Sequence, residues 1–442
     1  MNMQESQDFK PVGRRGVCSF VHNSSFYLYG GALSIPGLSA FRQTPHVDIE
    51  MLDMHSGLWS SVETEVLHSL PQFTSGACCA VLNDNLYIFG GWLAGLRNAH
   101  IHELDLETFC WKKLPINNPE NGPICKDKAA MFGYGDDMMG VFGGYGYPEN
   151  DAHARLEGRA AQYHRDTTNP FFSIYWTNEL HLFHVGKSEW IVPVVTGIPP
   201  PPCAAFSITR VDPHRLVIFG GKQVNSRVNE IHILNLDTWH WSGVNLPSRP
   251  EEPWPVGRSF HTACSLFDPS AITPPYPPCG TVFEWLPCPT PDLAPCEPAV
   301  TVDPKVIVLW GMSNDADPID DAWELNVNTL TWKQVHLPEG AGPKRAWHTA
   351  SAYHPSPCET LVVVFGGTSE NMYVVPDQQL TSISKPSLLH FGVHRLFELC
   401  LQYIIEDKIL MSHHDHLPIP AHLQQQIREQ VTSNQQLSIT RL

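Results

Sequence analysis

A short apolar run ending in paired glycines recurs along the chain. It reads FYLYGG up to Gly31, LYIFGG up to Gly91, MGVFGG up to Gly144, LVIFGG up to Gly221 and LVVVFGG up to Gly367, with VIVLWGM around Gly311 and Met312 as a variant. After five of these runs comes a second strand-like stretch, a short turn and a tryptophan: Trp59, Trp111, Trp190, Trp241 and Trp332. A further strand precedes the glycines, clearest in Arg258–Phe267 and Arg345–His354. Self-similarity at this spacing means that one supersecondary unit is repeated, and no single unit can bury both of its faces alone. Units of four strands stacked in a ring solve that problem. Paired glycines let the innermost backbones approach closely and turn sharply, and the tryptophans pack between neighbouring sheets. Six glycine signals predict an all-β, six-bladed β-propeller over residues 14–393, after an N-terminal segment of residues 1–13. A β-sandwich fits poorly with units of about 50–60 residues. The last unit lacks its tryptophan, so its outer strand is expected from Leu388–Val393, or the ring is closed by the N-terminal segment.

Composition narrows the function classes. The chain has 442 residues, of which 42% are hydrophobic and only 17% charged, with 31 Gly and 39 Pro. Turn-rich all-β chains read this way, whereas helix-rich enzymes seldom do. A formal charge of −17 argues against a general nucleic-acid surface, which needs a basic footprint, but leaves room for a local basic pocket. The start, MNMQESQDFK, has no apolar core of a leader, and no run of 18 apolar residues occurs. A cytosolic or nuclear chain without membrane association is expected, with thiols kept reduced. The 12 cysteines suit this. Cys18, Cys78, Cys79 and Cys264 lie in strand-like stretches as small hydrophobes, and the spacing of Cys279, Cys288 and Cys296 matches no zinc motif. No cofactor is expected.

Strand order places residues just before the first strand of a unit on the same face as residues just after its double glycine. That face collects Lys222 and Arg227, then Arg258, Ser259 and Phe260, then Arg345 and Trp347. A long loop between Tyr145 and Tyr175 adds Tyr147 and Tyr163, with Trp176 just beyond. These residues make a basic, aromatic-lined mouth; alternatively they are solvated charges and blade-closing structure. A second insertion, residues 268–303, falls on the opposite face and is rich in Pro and Cys, which predicts a disordered excursion. Beyond the ring, Leu396, Leu399, Cys400, Tyr403 and Ile404 keep a helical period. Pro418 and Pro420 break it, and Leu423, Ile427 and Val431 resume it. Residues 394–432 are therefore expected to form a short helical box, with a disordered tail at 433–442. His413, His414 and His416 between the helices read as a link rather than a metal site. An apolar helix face outside a finished ring suits a partner.

With these residues in view, the repeat is the kelch pattern, and nearly the whole chain resembles kelch-domain substrate receptors of cullin-2 RING ubiquitin ligases, which read C-terminal degrons. Leu396, Cys400 and Ile404 match the elongin-binding box, and Leu417-Pro418 looks like the cullin-2 box, so the resemblance implies elongin C, elongin B and cullin-2 as partners. GGKQVNSRVNEIHILNLDTWHW and PVGRSFHTA are similar to the blades that form the family's diglycine-degron pocket. The resemblance implies that Lys222 and Arg227 contact a substrate's terminal carboxylate, that Ser259 hydrogen-bonds it, and that Trp347, Trp176 and Tyr163 line the pocket. Lys222 stands where the family has Arg, which turns a bidentate fork into a point charge. Phe260 replaces Trp, Arg395 precedes the box, and Cys203 and Phe206 open the fourth blade in place of Arg and His.

The resemblance thus implies a non-catalytic substrate receptor that targets bound proteins for ubiquitination and degradation. A kelch interaction scaffold for cytoskeletal or transcriptional partners, unconnected with ubiquitin, is the alternative. An oxidase would need a metal constellation near the axis. His261 and His348 are the paired histidines there, and their repeated strand position reads as blade structure.

Overall fold

The computed structural model describes residues 3–4, 9–33, 48–72, 74–148, 160–168, 173–243, 252–269, 303–337, 341–356, 359–372, 374–375, 380–392 and 439–441. Six mainly antiparallel sheets follow one another in chain order and form a six-bladed propeller. With strands lettered a to d from the axis outward, the first blade comprises Cys18–His22, Ser25–Tyr29, Ile49–Asp53 and Trp59–Val62. The second comprises Cys78–Leu82, Asn85–Phe89, Ile101–Asp105 and Cys110–Lys113. The fourth, fifth and sixth blades open on Ser207–Asp212, Thr262–Ser265 and Ala346–Ser356. In the third blade the b and c strands run on as Met138–Tyr147 and Tyr175–His184, and the start of the c strand also pairs with Tyr163–Arg165. Among the described residues, helical structure amounts to two 3₁₀ turns, Pro119–Asn121 and Ala160–Gln162.

The core is divided among the seams between blades. Six clusters of buried side chains each join two adjacent sheets, including one that joins Val17, Phe26, Leu28 and Leu52 of the first blade to Val363, Phe365 and Leu388 of the sixth. The five repeat tryptophans lie in d strands, as their spacing predicts. Each packs on the aromatic residue that precedes the glycine pair of the preceding blade. Trp111 meets Tyr29 at 4.8 Å between centroids, Trp190 meets Phe89 at 5.8 Å, Trp241 meets Phe142 at 5.2 Å, Trp332 meets Phe219 at 4.9 Å, and Trp59 meets Phe365 at 6.0 Å. The last contact closes the ring. Beside it Ser19 hydrogen-bonds Ser351 at 2.8 Å and also Thr349, and Ser24 hydrogen-bonds Tyr353 at 3.0 Å.

The sixth blade departs from expectation. Ser387–Gly392, which includes most of the run expected as its outer strand, is instead its third strand, antiparallel to Glu359–Thr368. The fourth is Ile439–Arg441, parallel to it. Part of the segment expected to be a disordered tail thus pairs with the ring. The N-terminal segment does not supply this strand: Met3–Gln4 pairs along the outer edge of the first blade, beside Trp59–Val62. The helical box of residues 394–432, with Leu396, Cys400, Ile404, Leu417 and Pro418, lies outside the described residues, as does most of the 268–303 insertion. The ends of that insertion join Thr262–Ser265 to Lys305–Leu309, an a–b connection on the face opposite the mouth.

Candidate functional site

The axis is built by a repeated backbone conformation. Just before each a strand one residue takes a left-handed φ between 55° and 65°: Gly16, Gly76, Lys128, Ala205, Phe260 and Trp347. Their amides form a closed circle of hydrogen bonds. Gly76 N–H donates to Gly16 O (3.0 Å), Lys128 to Gly76 (2.7 Å), Ala205 to Lys128 (3.0 Å), Phe260 to Ala205 (2.9 Å), Trp347 to Phe260 (3.0 Å) and Gly16 to Trp347 (3.1 Å). These residues and their successors line a cavity at the mouth of the axis. The residue before each of them pairs with the residue after the glycine pair: Arg15 with Ala32, Ser75 with Trp92, Asp127 with Tyr145, Ala204 with Lys222, Ser259 with Met312 and Ala346 with Thr368. The two loop families therefore share one face, as strand order predicts.

The circle is small on one side and large on the other. A Cβ on Gly16 would sit 2.8 Å from the Trp347 indole nitrogen, and one on Gly76 would sit 3.4 Å from Cγ of Lys128. Trp347 and Lys128 thus lean over the two glycines, and the Lys128 ammonium reaches 5.5 Å from the Trp347 ring centroid. Lys128 belongs to the blade opposite that of Trp347, so this contact crosses the mouth. A continuous wall results. Trp176 stacks on Tyr145 at 4.9 Å, the Lys128 ammonium lies 5.8 Å from the Tyr145 ring, and Trp347 stacks on Phe260 at 5.1 Å.

On the fourth and fifth blades, Arg227 is 4% exposed and Ser259 is fully buried. The Arg227 Nε donates to Ser259 Oγ at 2.8 Å, its Nη2 lies 3.0 Å from Met312 Sδ, and its backbone pairs with that of Lys222, which is half-buried. Sequence reasoning placed Lys222, Arg227, Ser259 and Trp347 at one mouth; the structure brings Arg227 and Ser259 into contact, sets Lys222 beside them, and links Trp176 to Trp347 through Tyr145 and Lys128. Tyr163 is placed differently. It is buried, and its hydroxyl donates to Glu179 Oε2 at 2.6 Å, within a network that includes Lys126 and His181. The tyrosine in the mouth wall is Tyr145.

Arg258 and Arg345 are structural. Both are fully buried. Arg258 makes a fork on Asp321 at 2.6 and 2.9 Å, and Arg345 reaches Gly366 O and Ser387 and lies over Trp310 at 5.0 Å. His261 accepts or donates a hydrogen bond at Ser207 and His348 does so at Thr262, each across a seam.

Sequence reasoning missed Arg15, Arg97, Asp127, Lys128 and Tyr145. Asp127 takes Arg97 Nε at 2.6 Å and is also paired with Lys128. Burial alone would raise its pKa, but Lys128 and Arg97 hold it below the ordinary carboxylate range. Burial and Arg97 in turn lower that of Lys128 against the pull of Asp127. Aligning the six repeats on the residue before each a strand would have found Lys128 in the same column as Phe260 and Trp347.

Residues 1–157 and 162–270, more than half of the chain, match the model of the KLHDC2/KLHL20/DRC7 Kelch-repeats domain. Among curated proteins, human Kelch domain-containing protein 1 is 29% identical over 437 residues, covering 97% of this chain and 93% of that protein. Bovine Kelch domain-containing protein 2 is 27% identical over 436 residues, covering 96% and 92%. Among solved structures, that of YjhT superposes with a TM-score of 0.52 at 13% identity, over 86% of this chain and 95% of that one, a likeness of fold.

Proposed function

This chain belongs to the family of KLHDC2/KLHL20/DRC7 kelch-repeat proteins, and on that premise we propose that it is the substrate-recognition subunit of a cullin-2–elongin B/C ubiquitin ligase. It performs no chemistry of its own. The propeller mouth binds the C-terminus of a substrate protein, and the segment around Leu396, Cys400, Ile404, Leu417 and Pro418 docks to elongin C and cullin-2, which bring the ubiquitin-transfer machinery.

The observation that carries this reading is the Arg227–Ser259 pair beside Lys222, under an aromatic wall of Trp347, Phe260, Tyr145 and Trp176. A chain has one terminal carboxylate. Two cations and a hydroxyl recognise it by charge-assisted hydrogen bonds of about 1.5–3 kcal/mol each. Crowding by Trp347 and Lys128 leaves a narrow opening, which favours glycine or another small residue at the last two positions.

Binding of a C-terminal peptide array, with free and amidated ends, to the purified protein tests the mouth. Free carboxylates should bind at least tenfold more tightly, and Arg227→Ala should abolish the difference. Equal affinity for both ends would defeat the reading. Co-purification with elongins B and C, lost in the Leu396→Ala/Cys400→Ala variant, tests the ligase role. Its absence from the wild-type chain would return the protein to an interaction scaffold.

A further inference from the structure

We propose that Asn314 is a positioning residue of the carboxylate site: by holding the Arg227 backbone it sets the guanidinium on Ser259, and it thereby fixes this protein's preference for a free chain terminus. The proposal rests on the C-terminus reading above and names a residue on which that preference depends.

Arg227 belongs to the fourth blade, but the groups that hold it belong to the fifth. Its backbone N–H donates to Asn314 Oδ1 at 2.6 Å, and its C=O accepts from Asn314 Nδ2 at 3.4 Å, so one amide side chain grips both backbone polar groups of one residue. Further out, Nε reaches Ser259 Oγ at 2.8 Å, Nη2 reaches Met312 Sδ at 3.0 Å and Nη1 lies 3.5 Å from Asn314 O. Gly257 adds to the fit, since a Cβ there would run into Arg227 O.

Asn314 has a rigid base. It stands in the loop between Lys305–Leu309 and Ala322–Asn326, on the mouth face. Met312 bridges to Ser259 and to Pro318. Within the loop Ser313 N–H donates to Asp317 O at 2.9 Å, and Ala316 N–H to Ser313 O at 3.1 Å. Ala316 is fully buried at a left-handed φ of +62°, packed with Met312, Phe260 and Ala346. The sixth blade braces the same loop, because Asn371 Nδ2 donates to Asp317 Oδ1 at 2.7 Å and to Asp315 O at 3.2 Å.

A carboxylate clamp gains from such a hold. An arginine side chain has several rotatable bonds, and immobilising them when a ligand arrives costs affinity. Here the immobilisation precedes binding. A forked contact also depends on the angle of the guanidinium plane, and that angle starts from where the Arg227 backbone is set. Ser259, Met312 and Asn314 hold the arginine without contributing a negative charge. Asn314 is exposed, so it serves the placement of Arg227 and not the filling of a core.

Fluorescence polarisation with the full-length protein and peptides ending in two glycines, free and amidated, tests this. Asn314→Ala should weaken binding of the free-ended peptide about fivefold or more and leave the amidated peptide within about twofold, the pattern of lost pre-organisation at a charge-recognising group. In an Arg227→Ala background the same change should alter neither, because a residue that acts through Arg227 has nothing left to act on. Should Arg227→Ala fail to fold, Arg227→Gln takes its place; should that background bind too weakly to titrate, the free-to-amidated ratio of Asn314→Ala decides alone. Melting curves should place Asn314→Ala close to the wild-type protein, and a variant that does not fold would make Asn314 structural and overturn the proposal. Equal loss at both ends, no loss at either end, or an undiminished effect in the Arg227 background also overturns it, while a wild-type preference for free ends leaves the function standing. A wild-type protein indifferent to the terminus, or one that binds neither peptide, overturns both.

Discussion

Four residues without the freedom of glycine, Lys128, Ala205, Phe260 and Trp347, hold left-handed φ in the innermost circle. Each costs on the order of 1 kcal/mol, and the circle of amide hydrogen bonds holds them there. The same turn aims three large side chains across the mouth, so local strain and the binding surface have one origin. Next to this circle stand two buried histidines. Burial, with Arg258 nearby, pushes His261 down to about 3, and burial with Arg345 and His261 pushes His348 well below its ordinary value. Both are neutral when folded, whereas unfolded histidine titrates near pH 6.5. The unfolded chain therefore binds more protons below that pH, and stability, whole above about pH 6.5, declines as the pH falls beneath it. Thermal melts between pH 7.5 and 5 should show this decline, and His348→Gln should flatten it; equal slopes in the two proteins would count against the assignment. Arg227, Ser259 and Trp347 were legible in the sequence because loop order alone puts them on one face. Lys128 and Arg15 were not, since Lys128 looks like a loop charge beside Asp127, and Arg15 looks like the second half of an Arg-Arg pair whose first member is structural.

At the scale of strands and seams, one rule explains most of the chain: a d-strand tryptophan of one blade stacks on the aromatic before the glycine pair of the preceding blade. The seam between the fifth and sixth blades breaks it on both sides together. The sixth blade lacks the tryptophan, and the fifth has Leu309 and Trp310 where the others have an aromatic and a glycine. Trp310 takes the glycine's left-handed φ, +53°, and is buried between Arg345 and His348 of the sixth blade, at 5.0 and 5.4 Å. The ring that is missing from one side of the seam is supplied by the other. Restoring the repeat with Trp310→Gly should therefore destabilise the protein, by about 3–5 kcal/mol as for a buried Trp→Ala change, despite removing a strained φ. Urea unfolding checks this against Trp241→Ala, expected in the same range; a stabilised Trp310→Gly protein would refute the exchange. At Gly220 the usual glycine is required, because a Cβ would meet Arg258 O at 2.7 Å at a φ of +66°.

For the molecule as a whole, six cores in six seams make the ring only as closed as its weakest seam. The first and sixth blades meet through the core cluster around Val17 and Val363, Ser19, Ser24 and the Trp59–Phe365 contact, and share no sheet among the described residues. The sixth blade takes its fourth strand from Ile439–Arg441, far along the chain from its third strand. Ending the chain at Ser438 should raise amide hydrogen exchange at Leu388–His390, with protection in the second to fourth blades unchanged; unaltered exchange there would show that this strand does not protect the blade.

The repeats, their number, their order and the shared face of two loop families follow from the sequence by itself. Strand period, glycine pairs and tryptophan spacing are local properties that each unit repeats. Which residues meet in the mouth is another matter. The cross-axis contact of Lys128 with Trp347, the exchange of Tyr145 for Tyr163 in the wall and the source of the last strand all join residues far apart in the chain. Only closure of the ring brings them within a few ångströms, because side chains on opposite blades have no common period through which a sequence can express their contact.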